Sequence, residues 1–136
     1  MREFGIELFD KWTAMWNRDY DLAEEIMAPE FVLRYAQPGA SAYDDIRDPK
    51  AFVAQIQSFH DEVPGLSFAP DAVPVVEMDE NRTGIVVRPY RARITAPDGT
   101  ITDISGTDML RAENGRIVEV WSVSGGLAGR SFYASN

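Results

Sequence analysis

Apolar residues recur at Phe4, Leu8, Trp12 and Trp16, with Phe9 and Met15 beside them, so the spacing predicts an amphipathic helix over residues 3–16 with an aromatic stripe. Asn17-Arg18-Asp19 breaks it. A shorter helix through Leu22, Ala23, Ile26 and Met27 stops before Pro29, whose ring does not fit a helix interior, and the two helices form a hairpin. Phe31 to Tyr35 reads as a strand ended by Gln37-Pro38-Gly39, and the segment from there to Arg47 as a mobile loop. Asp48-Pro49 starts a third helix, with Asp as the cap, Pro in the first turn, and Phe52, Val53, Ile56, Phe59 and Val63 as its apolar face. Pro64-Gly65 ends it, Leu66–Ala69 and Val73–Met78 read as strands, and Asp79-Glu80-Asn81-Arg82 is a turn.

From Gly84 to Trp121 the pattern alternates as three long antiparallel strands, yet Asp108 stands where alternation asks for an apolar residue. Ile104, Gly106, Asp108 and Leu110 share one face because strand side chains alternate with period 2. A carboxylate on that face is costly to bury, which points to a polar-bottomed pocket as well as a core.

Turn chemistry sets which residues meet. Ala96-Pro97-Asp98-Gly99-Thr100 suits a three-residue loop, which pairs Arg93 with Asp103, Tyr90 with Gly106 and Arg88 with Asp108. A two-residue turn would instead point Arg91 and Arg93 inward. Pro89 lacks an amide donor and suggests a bulge that re-aims Arg88. In the next hairpin, a three-residue loop at Glu113-Asn114-Gly115 brings Val120 opposite Asp108, with Val118 and Ser122 on the same face and Trp121 outward. A two-residue Asn-Gly turn brings Trp121 inward, and both registers stay open.

The order of helix, helix, strand, helix and then a run of antiparallel strands predicts an α+β fold, three helices packed on a curved antiparallel sheet, as one domain over residues 1–136. Hydrophobic residues at 45% suit a globular core, and no run approaches the roughly 20 apolar residues of a membrane span. A formal net charge of −9 argues against nucleic acid and anionic lipid, whose recognition rests on Lys and Arg. The N-terminus lacks a secretory pattern, so a cytoplasmic location is expected. Zero cysteines exclude disulfides, thiolate metal sites and a cysteine nucleophile. With no triad, phosphate loop or metal-ligand spacing, neither cofactor nor metal is expected.

Asp108 is the candidate acid or base, its pKa raised by burial among aromatic residues; the structural alternative is an ion pair with Arg88. His60, the sole histidine, is a candidate proton shuttle on the third helix, or else a solvated helix-end side chain. Trp12 and Trp16 line the pocket from the first helix, Tyr35 and Tyr90 offer phenol donors to an oxyanion, and Arg88 lies beside the acid.

Three stretches, Trp12 to Asp19 with Met27 to Val32, Pro64 to Phe68 (PGLSF), and Gly106 to Trp121 (GTDMLRAENGRIVEVW), resemble the nuclear transport factor 2-like superfamily, in particular its SnoaL-like group. The resemblance covers nearly the whole chain. It implies a cone of three helices over a bent antiparallel sheet, with a pocket at the mouth and frequent dimerisation through the outer sheet face. It also implies that the acid at Asp108 acts on an enolisable carbonyl, as acid or base in the group's polyketide cyclases, or as a protonated oxyanion donor in the similar ketosteroid isomerases. The isomerases' separate base falls near Tyr35 or Ala36, neither a carboxylate, and their pocket tyrosine near Trp12, so steroid isomerisation is not expected. The Gly-Thr-His of many cyclases is replaced by residues around Arg91 to Arg93, leaving Asp108 as the one residue carried over.

The function expected is a cofactor-independent cyclase or isomerase, of the lyase or isomerase class, acting on a hydrophobic carbonyl-bearing small molecule. The alternative is a non-catalytic small-molecule-binding or dimeric assembly module on the same fold.

Overall fold

A computed structural model describes residues 1–134, and among them three helices pack on one six-stranded sheet. The first helix, α1 (Arg2–Trp16), buries Leu8, Phe9, Trp12, Met15 and Trp16 along the predicted stripe. It stops where Arg18 takes a left-handed φ of 82°. Asn17 then exchanges two 2.7 Å hydrogen bonds with the backbone of Phe68, clamping the helix end to the sheet. The second helix, α2 (Leu22–Ile26), runs straight into strand β1 (Met27–Tyr35), because Pro29 holds its neighbourhood extended.

The segment after β1, expected to be mobile, is packed instead. Ala40, Tyr43 and Ile46 are buried, and the amide of Phe31 donates to the Arg47 carbonyl at 3.0 Å. The third helix, α3 (Pro49–Glu62), is capped by the Asp48 carboxylate, which accepts from the Ala51 amide at 2.9 Å. Its buried positions recur at Phe52, Ile56 and His60, so the histidine occupies the last place of the apolar stripe.

Five further strands follow: β2 (Leu66–Pro70), β3 (Val75–Met78), β4 (Gly84–Thr95), β5 (Ile101–Glu113) and β6 (Arg116–Ser124). Their order is β1-β6-β5-β4-β2, with β3 also on β4, so β5 is central. The sheet is not wholly antiparallel, because β1 pairs with β6 in parallel. The long strand β4 carries β3 on Gly84 to Val87 and β2 on Tyr90 to Ile94. Pro89 sits in the gap between them, and the β4–β5 register runs through it unbroken, so it makes no bulge.

The three-residue loop at Pro97-Asp98-Gly99 forms as expected: the Ala96 amide donates to Thr100 at 2.8 Å, and Gly99 takes a φ of 87°. Arg93 accordingly forms a bidentate pair with Asp103 on the outer face, at 2.8 and 3.0 Å. The second hairpin combines parts of both expected registers. Asn114-Gly115 makes a two-residue turn that pairs Glu113 with Arg116, and an extra residue at Val118 then bulges β6. The bulge places Trp121 outward against Met109, and puts Ser122 rather than Val120 opposite Asp108. Among the described residues, no helix is long and apolar enough to cross a membrane.

Candidate active site

One row crossing the sheet carries the site. Tyr35, Ser122, Asp108 and Arg88 stand in register on β1, β6, β5 and β4. At the ordinary strand spacing, the backbones of Tyr35 and Asp108 are about 10 Å apart.

Asp108 is 7% exposed. Its Oδ2 accepts from the indole Nε1 of Trp12 at 2.9 Å, while Oδ1 is buried without a hydrogen-bond partner. Burial pushes the carboxyl up to about 6, against the weaker opposing pull of the Ser122 hydroxyl and the Trp12 indole. Ser122, directly opposite Asp108 on β6, closes no hydrogen bond onto Oδ1. The carboxyl therefore titrates near neutrality with one oxygen anchored and the other unpaired.

That carboxyl lines a cavity of about 270 Å³ walled by Trp12, Trp16, Tyr35, Phe68 and Tyr90. The two indole rings meet edge to face at 6.3 Å, and Trp16 meets Phe68 at 5.4 Å, a geometry that holds aromatic walls rigid. Tyr90 packs over Gly106, where a Cβ would collide with its ring carbon Cζ and hydroxyl oxygen. The glycine is thus a seat for a phenol, not a backbone hinge. Tyr35 stacks on Tyr43 at 4.3 Å with only 5° between the planes, and its hydroxyl oxygen is buried without a partner.

Burial, reinforced by the charge of Asp108, raises both Tyr35 and Tyr90 above the ordinary phenol range, and burial takes Tyr43 to about 12. The three phenols keep their protons and stay hydrogen-bond donors. Pro38 and Leu127 line the cavity from the segments that follow β1 and β6.

Two expected site residues lie elsewhere. Arg88 is on the predicted face, but its Nε and Nη2 donate to the carbonyls of Asp71 and Ala72, both at 3.0 Å. It pins the crossing from β2 to β3, is not part of the cavity lining and makes no ion pair with Asp108. His60 is 4% exposed and also outside the lining. Its Nε2 lies 2.6 Å from the Trp16 carbonyl, which can only accept, so the ring closes the end of α1. A shuttle position next to Asp108 is therefore not formed.

Conversely, the lining includes Gln37, Tyr43 and Gln55, which alternation and turn chemistry did not single out, together with Ser122, which the three-residue register had placed on the Asp108 face. The Gln37 Oε1 is buried and unpartnered. No cluster of three or more His, Cys, Asp or Glu side chains is placed to hold a metal ion among the described residues.

The family model of the SnoaL-like domain matches residues 7–120. The chain belongs to the SnoaL-like domain family. Solved structures similar to this SnoaL-like domain include wild-type IdmH of Streptomyces antibioticus, a candidate polyketide cyclase: identity is 21%, coverage 88% of this chain and 91% of that one, and the TM-score 0.71. A candidate SnoaL-like isomerase of Agrobacterium tumefaciens is 20% identical over 90% and 97% of the two chains, with a TM-score of 0.66. TerC, co-crystallized with polyporic acid, is 14% identical over 89% and 91%, with a TM-score of 0.68. Comparison with curated proteins gave no match. At these identities the structures establish the shared fold of the SnoaL-like domain, three helices on a sheet of the nuclear transport factor 2-like type.

Proposed function

We propose that this SnoaL-like domain is a cofactor-independent cyclase or isomerase that moves a proton on a hydrophobic, carbonyl-bearing small molecule, with Asp108 as its acid and base. The observation that carries the reading is the divided carboxyl: Oδ2 held by Trp12, Oδ1 buried and unpartnered in the lining of an aromatic cavity. Above about pH 6 the carboxylate takes a proton from the carbon next to the carbonyl, and the electron pair moves onto the carbonyl oxygen. Tyr90, seated on Gly106 two residues from Asp108 and still protonated, is the donor available to that enolate oxygen. In a cyclisation the enolate carbon then adds to a second carbonyl of the substrate and Asp108 returns the proton to the resulting alkoxide; in an isomerisation Asp108 returns it to the far carbon of the dienolate, which completes the shift of the double bond. The families and names of the similar structures support cyclisation or isomerisation as the outcome.

The deciding experiment uses a cyclisable aromatic polyketone. Asp108→Asn is expected to bind it with affinity within about threefold of the parent and to lose turnover by two to four orders of magnitude, the usual range for a general acid or base. Full turnover by the variant would remove Asp108 from the chemistry.

A binding or assembly module is the second reading. It is favoured by the sparse acid–base equipment of the cavity: among the described residues the lining holds no histidine, and its one carboxyl besides Asp108 is Glu62, at the end of α3. A homodimer through the outer sheet face suits either reading, because Val123 is 53% exposed there beside half-buried Trp121.

A further inference from the structure

The cavity describes its guest by what it leaves unpaired. Asp108 Oδ1, Gln37 Oε1 and the Tyr35 hydroxyl are buried without partners, and all three residues line the same cavity. Two of these atoms accept hydrogen bonds as they stand, and the third can donate or accept. They form two groups. Tyr35 and Gln37 are two residues apart at the end of β1, whereas Asp108 is on β5, two strands away. An unpaired buried polar atom is costly, so the guest that fills this space gains by supplying hydrogens at both ends.

The lining also lacks a counter-charge for an anion. Among the described residues it contains no Lys, Arg or His, and its charged members are the carboxyl groups of Asp108 and Glu62. Two arginines of β4 are engaged elsewhere, Arg88 on the carbonyls of Asp71 and Ala72 and Arg93 on Asp103 on the outer face, and Arg91 between them is outside the lining. An acidic guest would bring its charge into a desolvated space already holding a carboxyl, with nothing to neutralise it.

From this we infer that the ligand is an uncharged, flat ring system with a hydroxyl or enol hydrogen at each end, one end on Asp108 and the other on Gln37 and Tyr35, and that carboxylated or phosphorylated relatives are rejected. The inference rests on the proposed function in using the same cavity, and adds the ligand's charge and its pattern of donors. Gln37 becomes the residue that reads the distal hydroxyl.

Three probes on one skeleton test it at pH 7.5: 2,6-dihydroxynaphthalene, 2,6-dimethoxynaphthalene and 6-hydroxy-2-naphthoate. Calorimetry gives the affinities, and the indole N–H resonance of Trp12 reports whether the cavity is the place bound. The dihydroxy compound is expected to bind at least tenfold more tightly than either of the others and to shift the Trp12 resonance. Gln37→Leu is expected to weaken the dihydroxy compound severalfold and to leave the dimethoxy compound unchanged. Naphthoate binding as tightly as the diol, equal binding of diol and diether, no binding by any probe, or an unaffected Gln37→Leu would each overturn the inference. The two readings fail separately. Turnover retained in Asp108→Asn with the probe ranking intact removes the proton-transfer mechanism alone, whereas tight naphthoate binding with turnover lost in that variant removes the ligand class alone.

Discussion

The indole of Trp12 and the carboxyl of Asp108, 96 positions apart in sequence, meet through a 2.9 Å hydrogen bond that joins the first helix to the central strand. An indole N–H only donates, so it favours the charged carboxylate and makes the unpaired Oδ1 the better place for the proton. Trp12→Phe removes that support. A hydrogen bond to a charged group contributes about 1.5–3 kcal/mol, so the Asp108 midpoint is expected to rise by about one to two units. A carbon-13 titration of the Asp108 carboxyl reads this directly, and a midpoint that stays put or falls contradicts the assignment.

The raised pKa of Asp108 also makes stability depend on pH, with a defined sign. Its folded value, about 6, lies above its unfolded value near 3.8. The folded state therefore holds the proton more tightly. The resulting stabilisation is complete below pH 4 and is lost as pH rises through 6, by about 3 kcal/mol as an order of magnitude. Asp108→Asn escapes that loss. Urea melts of parent and variant should diverge in the variant's favour between pH 4 and pH 7, and a constant difference across that window would refute the linkage.

Gly106 gives a packing prediction. Gly106→Ala places a methyl group in the ring of Tyr90, and overpacking of this kind costs about 1–3 kcal/mol. In a Tyr90→Leu background the obstructing ring atoms are gone, so the same substitution should cost less than half as much. Additive costs in the two backgrounds would show that Tyr90 is not what excludes the side chain.

Arg88 separates a scaffold role from a ligand role. Arg88→Met keeps the aliphatic stem and loses both hydrogen bonds to the carbonyls of Asp71 and Ala72, for an expected cost of about 1–3 kcal/mol. Affinity for 2,6-dihydroxynaphthalene should not change. A tenfold loss of affinity at unchanged stability would return the guanidinium to the cavity.

How far the sequence reaches is clearest in the two hairpins. The loop at Pro97-Asp98-Gly99 is set by local backbone chemistry, so the pairing of Arg93 with Asp103 and of Tyr90 with Gly106 could be read from four or five residues. The turn at Asn114-Gly115 is equally local, but the bulge at Val118 is not, and no turn rule announces it. The outward Trp121 and the partner of Asp108 both depend on that bulge. Asp108 itself was legible because a carboxylate interrupts an apolar alternation. His60 and Arg88 were legible only as to face, since the sequence does not say which carbonyl each side chain reaches first. Gln37 and Tyr43 sit on a segment with no periodicity, and it is tertiary packing, of Tyr43 on Tyr35, Trp16 and Phe52, that holds it against the cavity.

Two segments that line the cavity meet beside it, with a consequence for how its shape can be changed. A Cβ on Gly126 would lie 3.4 Å from the carbonyl oxygen of Pro38, so the segments after β1 and β6, 88 positions apart, nearly touch. Neither supplies the acid or its indole anchor. Substitutions at Pro38, Gly39 or Leu127 should therefore reshape one wall of the cavity while leaving Asp108, Trp12 and Gln37 in place.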